Sequence, residues 1–380
     1  MRRQRTLIGL LLVIILVSVL AYVRSQPWGQ FLLFLPPDSQ GWIVCERAGE
    51  NDSDIVIVKP DGAIVELATG PSDDIQPDWS PDGNMIAFSS NKRDEVYQLF
   101  RIPASGGQAL QLTVGGGAKF EPVYSANGDH ILHIAQGLVT EVEPKTLHAE
   151  QIIPPSEMMH QWRQDGEAAL SFRMPRPSKT DDRLFAAVQR ADGEEVAIAH
   201  FIPPDRSRMR SPMLVTSAKR IDVDWSPKEA KLAMAVWEGE VQVSEERKDK
   251  ASFIGMADFT QDPQQPSFRI VMALPPEHFA SEVAFSPNGE VLAFVLNKTH
   301  EEGYERLGLV VVAATGGAPT PLTQGEAWQP SWTPDGQKIA IAFGPRGKRQ
   351  IHLVHRESGQ SEPITKDERD YSSPRVSPKK

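Results

Sequence analysis

The sequence predicts an all-β fold: a seven-bladed β-propeller of four-stranded antiparallel blades, with six blades as the alternative count, behind one N-terminal transmembrane helix. Three observations predict it. A phrase made of a large apolar residue, Ser-Pro-Asp-Gly and a short apolar strand recurs along the chain. The copies fall at intervals near the length of one blade. The first and last segments each lack what the other supplies.

The clearest copies are Asp78-Trp79-Ser80-Pro81-Asp82-Gly83 before Met85-Ile86-Ala87-Phe88, and Ser331-Trp332-Thr333-Pro334-Asp335-Gly336 before Ile339-Ala340-Ile341-Ala342-Phe343. Trp225-Ser226-Pro227 and Phe285-Ser286-Pro287-Asn288-Gly289 carry the same strand behind a weaker turn. Pro sets the first corner of a β-turn, Asp tolerates the second, and Gly takes an exit conformation that a side chain resists. Weaker copies stand at Leu35-Pro36-Pro37-Asp38, Tyr124-Ser125-Ala126-Asn127-Gly128, Trp162-Arg163-Gln164-Asp165-Gly166 and Val376-Ser377-Pro378. The marks at 35, 79, 124, 162, 225, 285, 332 and 376 are separated by 44, 45, 38, 63, 60, 47 and 44 residues. Such intervals suit four-stranded blades.

Within each interval the order repeats. After the turn come the Ile-Ala-Phe type strand, a loop, and a second strand such as Tyr97 to Ile102 or Leu309 to Val312. A Gly turn and a short third run follow, for example Ser105-Gly106-Gly107 and Leu110-Gln111-Leu112-Thr113. Short β-branched runs bounded by Gly and Pro read as strands and turns. The first unit, 35–70, has no innermost strand before it, whereas Tyr371 to Val376 is an innermost strand without followers. Pairing of 371–378 with the first blade would close the ring and remove its free sheet edge. The intervals opened at 162 and 225 are long; their extra sequence around 175–182, 203–210, 245–250 and 261–266 reads as surface excursions.

The chain has 380 residues, 40% of them hydrophobic, with 31 Pro and 28 Gly as punctuation. Its net charge of −10 argues against a nucleic-acid partner. The lone Cys45, in an apolar run, reads as a buried thiol and excludes an intrachain disulfide. Met1-Arg2-Arg3-Gln4-Arg5 precedes an uncharged run from Thr6 to Val23, long enough to span a bilayer. The expected order is a cytoplasmic tail (1–6), a transmembrane signal anchor (7–23), a linker (24–34) and the propeller (35–380). The arginine asymmetry places everything after Arg24 outside the cytoplasm, in a periplasm or at a cell surface. Cleavage after Ala21 or Ser25 is the alternative to a retained anchor.

The repeat resembles the WD-like propeller repeat of TolB-type proteins, over roughly residues 35–380. The motif is structural, so the resemblance speaks to fold. In TolB itself the propeller is a periplasmic protein-binding module of an envelope complex, and that role is what the likeness implies. Similar repeats build the propellers of prolyl oligopeptidase-type peptidases and of some polysaccharide lyases. The chain departs from TolB in its anchor-like leader, its seven repeats, and the want of an α/β domain before the ring.

No catalytic motif emerges. A propeller peptidase needs a Gly-x-Ser-x-Gly elbow, and none occurs. Gly115-Gly116-Gly117 lies between strands and lacks a following Lys-Ser/Thr. The pairs His130/His133 and His352/His355 are three apart, which on a strand points them to opposite faces. Asp52 with Asp54, and Asp73, Asp74 with Asp78, have no known calcium-loop spacing. No cofactor or metal is expected.

One alignment suggests a site. Three residues before each large pre-turn residue stand Gln76, Glu121, Met159, Asp222, Glu282, Gln329 and Ser373. In a propeller this offset begins the innermost strand, at the mouth of the channel. Gln76, Glu121, Asp222, Glu282 and Gln329 are therefore the candidate binding residues, a weakly acidic ring for a basic or amide-rich peptide segment or a cation; the bland alternative is that water reaches these positions. The function expected is a non-catalytic, monomeric, membrane-anchored scaffold that binds another envelope or surface protein. The alternative is a carbohydrate-active lyase or hydrolase with its site on the channel face.

Overall fold

The computed structural model describes residues 39–93, 95–153, 171–181, 183–189, 195–201, 213–244, 247–262 and 266–379. The expected tail, anchor and linker lie outside the described residues. Among the described residues no helix is long and apolar enough to cross a membrane.

The chain from Ser39 onward is a β-propeller of four-stranded antiparallel blades. It opens with β1 (Ile43–Ala48), β2 (Ser53–Val58) and β3 (Ile64–Ala68). Complete four-strand meanders follow. The first holds β4 (Asp74–Trp79), β5 (Met85–Ser90), β6 (Gln98–Pro103) and β7 (Leu110–Gln111). The next holds β8 (Lys119–Tyr124), β9 (Ile131–Ala135), β10 (Leu138–Val142) and β11 (Ala149–Ile153). Then come β12 (Ser171–Pro177), β13 (Arg183–Gln189), β14 (Glu195–Phe201) and β15 (Met213–Ala218). They are followed by β16 (Arg220–Trp225), β17 (Lys231–Ser244), β18 (Arg247–Asp258) and β19 (Ser267–Ala273). Two more meanders are β20 (His278–Phe285), β21 (Val291–His300), β22 (Gly303–Ala313) and β23 (Thr320–Pro321), and β24 (Ala327–Trp332), β25 (Lys338–Phe343), β26 (Gln350–His355) and β27 (Ser361–Pro363). The last strand, β28 (Tyr371–Val376), pairs antiparallel with β1, so that β28-β1-β2-β3 is one sheet. Among the described residues the strands thus form seven four-stranded sheets.

Each apolar cluster lies between two neighbouring sheets. Val44, Ile55 and Ile57 meet Trp79, Ile86 and Phe88; at the far end, Ile43, Cys45 and Val58 meet Ala340, Ala342 and Ile351 with Tyr371 between them. Because both faces of a blade are covered, the second strand of most blades carries a continuous apolar run. Ile86, Ala87 and Phe88 are all fully buried, as are Leu292, Ala293, Phe294 and Val295. Continuous apolar runs are what doubly covered strands require.

The Ser-Pro-Asp-Gly turn is held by its Ser. Ser80 Oγ donates to Asp82 Oδ1 at 2.5 Å and accepts the Met85 N–H at 2.9 Å, while the Gly83 N–H bonds the Ser80 carbonyl at 2.8 Å. The same pattern joins Ser286 to Asn288 and Val291, and Thr333 to Asp335 and Lys338.

One blade differs from the sequence expectation. Trp162 lies outside the described residues, and the innermost strand of that blade is β12, which ends at Pro177. Ser178 follows Pro177 as Ser80 follows Trp79, and its N–H bonds the Arg183 carbonyl at 2.7 Å just as Ser80 N–H bonds that of Met85 at 2.9 Å. The stretch 175–181 is therefore innermost strand and turn, not a surface excursion, and the ring residue of this blade is Met174 in place of Met159. Of the expected excursion at 245–250, the described residues Arg247 to Lys250 belong to β18, which forms a long hairpin with β17, and the expected excursion at 203–210 lies outside the described residues.

His133 on β9 is fully buried. Burial lowers its pKa from 6.5 to about 4. The unfolded chain takes up a proton at about pH 6.5 and the folded one only near pH 4, so this stability is complete above pH 6.5 and is lost on acidification toward 4. Urea unfolding from pH 7 to 4 is expected to show a His133-dependent loss on the order of 3 kcal/mol. His133→Leu should flatten the profile by that amount; parallel profiles for the two proteins would contradict the assignment.

Candidate functional site

The innermost strands β4, β8, β12, β16, β20, β24 and β28 wall a central cavity of about 860 Å³. Its mouth carries the turn residues Pro81, Ser125, Lys179, Lys228, Pro287 and Pro334, so it opens on the Ser-Pro-Asp-Gly face.

Nearly all of these strands share a distortion. In β4, Ile75 pairs with Ser89 and Asp78 with Ala87, so Gln76 and Pro77 together face one residue of β5. Equivalent shifts occur at Glu121-Pro122, Met174-Pro175, Glu282-Val283, Gln329-Pro330 and Ser373-Pro374. These are β-bulges. Their first residues, Gln76, Glu121, Met174, Glu282, Gln329 and Ser373, have φ of 57°, 55°, 51°, 57°, 52° and 53°. A left-handed conformation costs a non-Gly residue about 1–2 kcal/mol. The Pro that often follows is tolerated because an innermost strand is an edge strand and needs no donor there. Asp222 is the exception, since β16 pairs with β17 in unbroken register.

What offsets the strain at each bulge is a hydrogen bond across the seam to the preceding blade. The bulge turns the backbone N–H toward the preceding blade, whose equivalent side chain accepts it. Glu121 N–H donates to Gln76 Oε1 at 2.7 Å, and Met174 N–H donates to Glu121 Oε2. Glu282 N–H donates to Asp222 Oδ2 at 3.1 Å, Gln329 N–H to Glu282 Oε2 at 2.7 Å, and Ser373 N–H to Gln329 Oε1 at 2.7 Å. Ser373 is too short to continue the chain. Glu46 of β1 substitutes, accepting the Gln76 N–H at 2.8 Å and the Ser372 hydroxyl at 2.9 Å. Met174 offers no comparable acceptor.

A second layer lies one residue before the large side chain. Trp79 Nε1 donates to the Arg375 carbonyl at 2.8 Å, Trp225 Nε1 to that of Arg176 at 2.7 Å, and Trp332 Nε1 to that of Ala284 at 3.2 Å. The repeat's Trp therefore joins blades as well as filling space between them. Asp78 Oδ2 accepts the Tyr124 N–H at 2.9 Å and Asp224 Oδ2 that of Phe285 at 2.8 Å. Asp224 Oδ1 also pairs with Lys179 at 3.3 Å.

All five candidate residues thus stand at one level of the ring. Glu121, Asp222, Glu282 and Gln329 line the cavity, and Gln76 lies in the ring outside its wall. Each has a side-chain oxygen committed to a neighbouring blade. Glu282 is further held by the Arg306 guanidinium at 2.9 and 3.0 Å, and Arg306 stacks 3.5 Å from the centre of the Trp328 ring. Asp222 meets Arg220 at 3.3 Å.

The alignment missed Asp78, Arg176, Asp224 and Arg375, which carry charge into the cavity one position before the turn phrase. Burial raises the pKa of Asp78, opposed by the Tyr124 N–H and by Arg375 and Arg176. Burial lowers that of Arg375, helped by the charge of Arg176 and opposed by Asp78 and Asp224. The signal that could have found three of them is the Pro just before the charged residue, as in Pro77-Asp78, Pro175-Arg176 and Pro374-Arg375, while Asp224 follows Val223 and has no such mark.

The remaining candidates lie elsewhere. His130 Nδ1 is 3.5 Å from the Glu141 carboxylate, and His352 Nδ1 is 2.8 Å from Ser361 Oγ. Asp54 pairs with Arg47 at 2.9 Å, and Asp73 accepts the Tyr97 hydroxyl at 3.0 Å. Cys45 is fully buried, which raises its thiol pKa. Among the described residues no group of three or more His, Cys, Asp or Glu is placed to hold a metal ion.

The geometry defines a β-propeller with a charged central channel. No family model matches the chain. It is similar to an uncharacterized peptidase, YuxL, of Bacillus subtilis strain 168, at 34% identity over 71 residues, which are 19% of this chain and 11% of that protein. Among solved structures it resembles TolB from Acinetobacter baumannii (TM-score 0.54, 14% identity, 92% of this chain and 69% of that one). It also resembles oligogalacturonate lyase from Vibrio parahaemolyticus (0.55, 12%, 86% of each chain) and a prolyl endopeptidase (0.59, 15%, 89% of this chain and 50% of that one). At these identities the likeness is one of fold.

Glu282→Ala removes the acceptor for the Gln329 N–H and leaves the Arg306 guanidinium, its side chain only 7% exposed, without its carboxylate. A loss of about 3–5 kcal/mol is expected in urea unfolding. Glu282→Gln keeps a neutral acceptor and should lose markedly less. Equal losses would deny the seam bond its share.

Proposed function

We propose that the chain is a non-catalytic, seven-bladed propeller held outside the cytoplasm by its N-terminal anchor, and that it docks a segment of another envelope protein at the channel mouth. The observation that carries this reading is the cavity itself. It is open on one face, large enough for several residues of a peptide, and lined by Asp, Glu, Arg, Lys, Pro and Ser side chains of many blades. Concave sites with a few convergent polar groups are where ligands bind. The resemblance in fold to TolB agrees with a binding role, while the likeness to lyases and peptidases keeps an enzyme as the competing class. The channel presents carboxylates that already hold backbone amides, and the one histidine expected near an innermost strand, His160, lies outside the described residues.

Lys228 is exposed at the mouth, and Glu150 is exposed on β11, the outermost strand of its blade. A photo-reactive phenylalanine analogue at Lys228 in the anchored full chain should give one discrete adduct with an envelope protein, and the same analogue at Glu150 none. No adduct at Lys228, or the same adduct from both positions, would count against docking at the channel.

A further inference from the structure

The docking reading leaves open what the bound segment must look like, and the channel's charges speak to that. The carboxylates expected to receive a basic peptide have protein partners. Glu121 and Asp222 accept amides, Glu282 accepts an amide and a bidentate guanidinium, and Asp78 and Asp224 accept the amides of Tyr124 and Phe285.

Arg176 and Arg375 are different. They occupy the same position on two blades well separated in the ring, each between a Pro and the last residue of its strand. Their backbones are pinned, since each carbonyl holds a Trp indole of the next blade. Their side chains line the cavity, yet among the described residues each guanidinium donates only to the carbonyl of its own preceding Pro, at 3.2 Å for Arg176 and 3.4 Å for Arg375. Among the described residues neither forms an ion pair within 4.0 Å. A guanidinium has five N–H donors, so most of those on both residues remain to be used. The two cations also feel each other across the channel, for the charge of Arg176 disfavours protonated Arg375. Asp78, Asp224 and Glu46 oppose that repulsion, and each has a carboxylate oxygen that accepts an amide of a neighbouring blade.

Two anchored guanidiniums, mutually repelling and short of acceptors in an open cavity, suit a carboxylate. Bidentate Arg–carboxylate pairs are among the stronger hydrogen bonds a protein makes. Resting on the docking reading, we infer that the segment entering this channel is acidic, presenting an Asp or Glu side chain or a C-terminal carboxylate to Arg176 and Arg375. A peptide suits the walls better than a uronate sugar. The cavity's aromatic residues, Trp79, Tyr124, Trp225, Phe285 and Trp332, are all buried between blades and offer no face for a sugar ring to stack on.

The test is calorimetric titration of the full chain, at low salt, with acetyl-tetraglutamate amide, acetyl-tetralysine amide and digalacturonate. The glutamate peptide should bind, tetralysine should not, and Arg176→Gln with Arg375→Gln should weaken the glutamate peptide about tenfold or more, the scale of a lost charged hydrogen bond. In the unmutated chain, phenylglyoxal should modify Arg176 and Arg375, and the glutamate peptide should protect both; this arm does not depend on the variants folding. Failure of the glutamate peptide to bind, unchanged affinity in the double variant, or no protection would overturn the inference. Tighter, arginine-dependent binding of digalacturonate would overturn the peptide assignment. An adduct at Lys228 combined with tetralysine binding would leave docking intact and sink only the acidic ligand. Arginine-dependent glutamate binding without an adduct would support the anion site and tell against the envelope partner.

Discussion

Every blade of this protein is a sheet that cannot cover its own faces, so the fold depends on what joins one blade to the next. At every described seam except that between β12 and β16, the join is a backbone amide, turned out of its own sheet by a β-bulge and accepted by a side chain of the preceding blade. The bulge residue sits in left-handed backbone at a cost of about 1–2 kcal/mol, and a hydrogen bond to a carboxylate is worth about 1.5–3 kcal/mol net. A bond to the neutral amide oxygen of Gln76 or Gln329 is worth about 0.5–1.5 kcal/mol, so these bonds permit the bulge but add little stability by themselves. Their further effect is registration. Gln76, Glu121, Glu282 and Gln329 each present both an amide and an acceptor, and each is thereby set against two neighbours at once. Glu46 shows how strongly the position is constrained, because where Ser373 is too short an adjacent strand supplies the carboxylate.

This constraint also decides which charges the channel can offer. A carboxylate that holds an amide of the next blade is oriented by the fold, and recruiting it to a ligand would loosen a seam. The Arg176 and Arg375 side chains carry no such duty, although their carbonyls do. The backbone of these residues therefore serves architecture and their side chains face the cavity. That division between strand and side chain is what makes the channel readable as a binding site.

Much of the architecture was legible in the residues. Ser-Pro-Asp-Gly announces a turn by local chemistry, and the apolar runs after it announce strands covered on both faces. The blade built from β12 to β15 was misread because Pro177 stands where other blades have an aromatic residue, while Trp162 offers a tempting copy of the phrase. The Pro before Arg176 was the better guide, since it marks the bulge common to most of these strands. Counting back three residues marked the bulge residues Gln76, Glu121, Glu282, Gln329 and Ser373 and missed Met174, and the hydrogen bonds these residues make were not visible. An alternating strand would aim those side chains at the channel, and only the bulge and the left-handed φ reveal that they reach across the seam. Arg176 and Arg375 went unnoticed because the count stopped at the wrong offset.

The central claim is that the bulge amides are locked between blades. Native-state hydrogen exchange measures this directly at Gln76, Glu121, Met174, Glu282, Gln329 and Ser373. These amides lie on edge strands beside the central cavity, where unbonded N–H groups reached by solvent exchange fast. The account predicts that they exchange as slowly as the amides of β5 and β25, through cooperative opening of the ring. Exchange at the rate of exposed loop amides, while β5 and β25 stay protected, would contradict it.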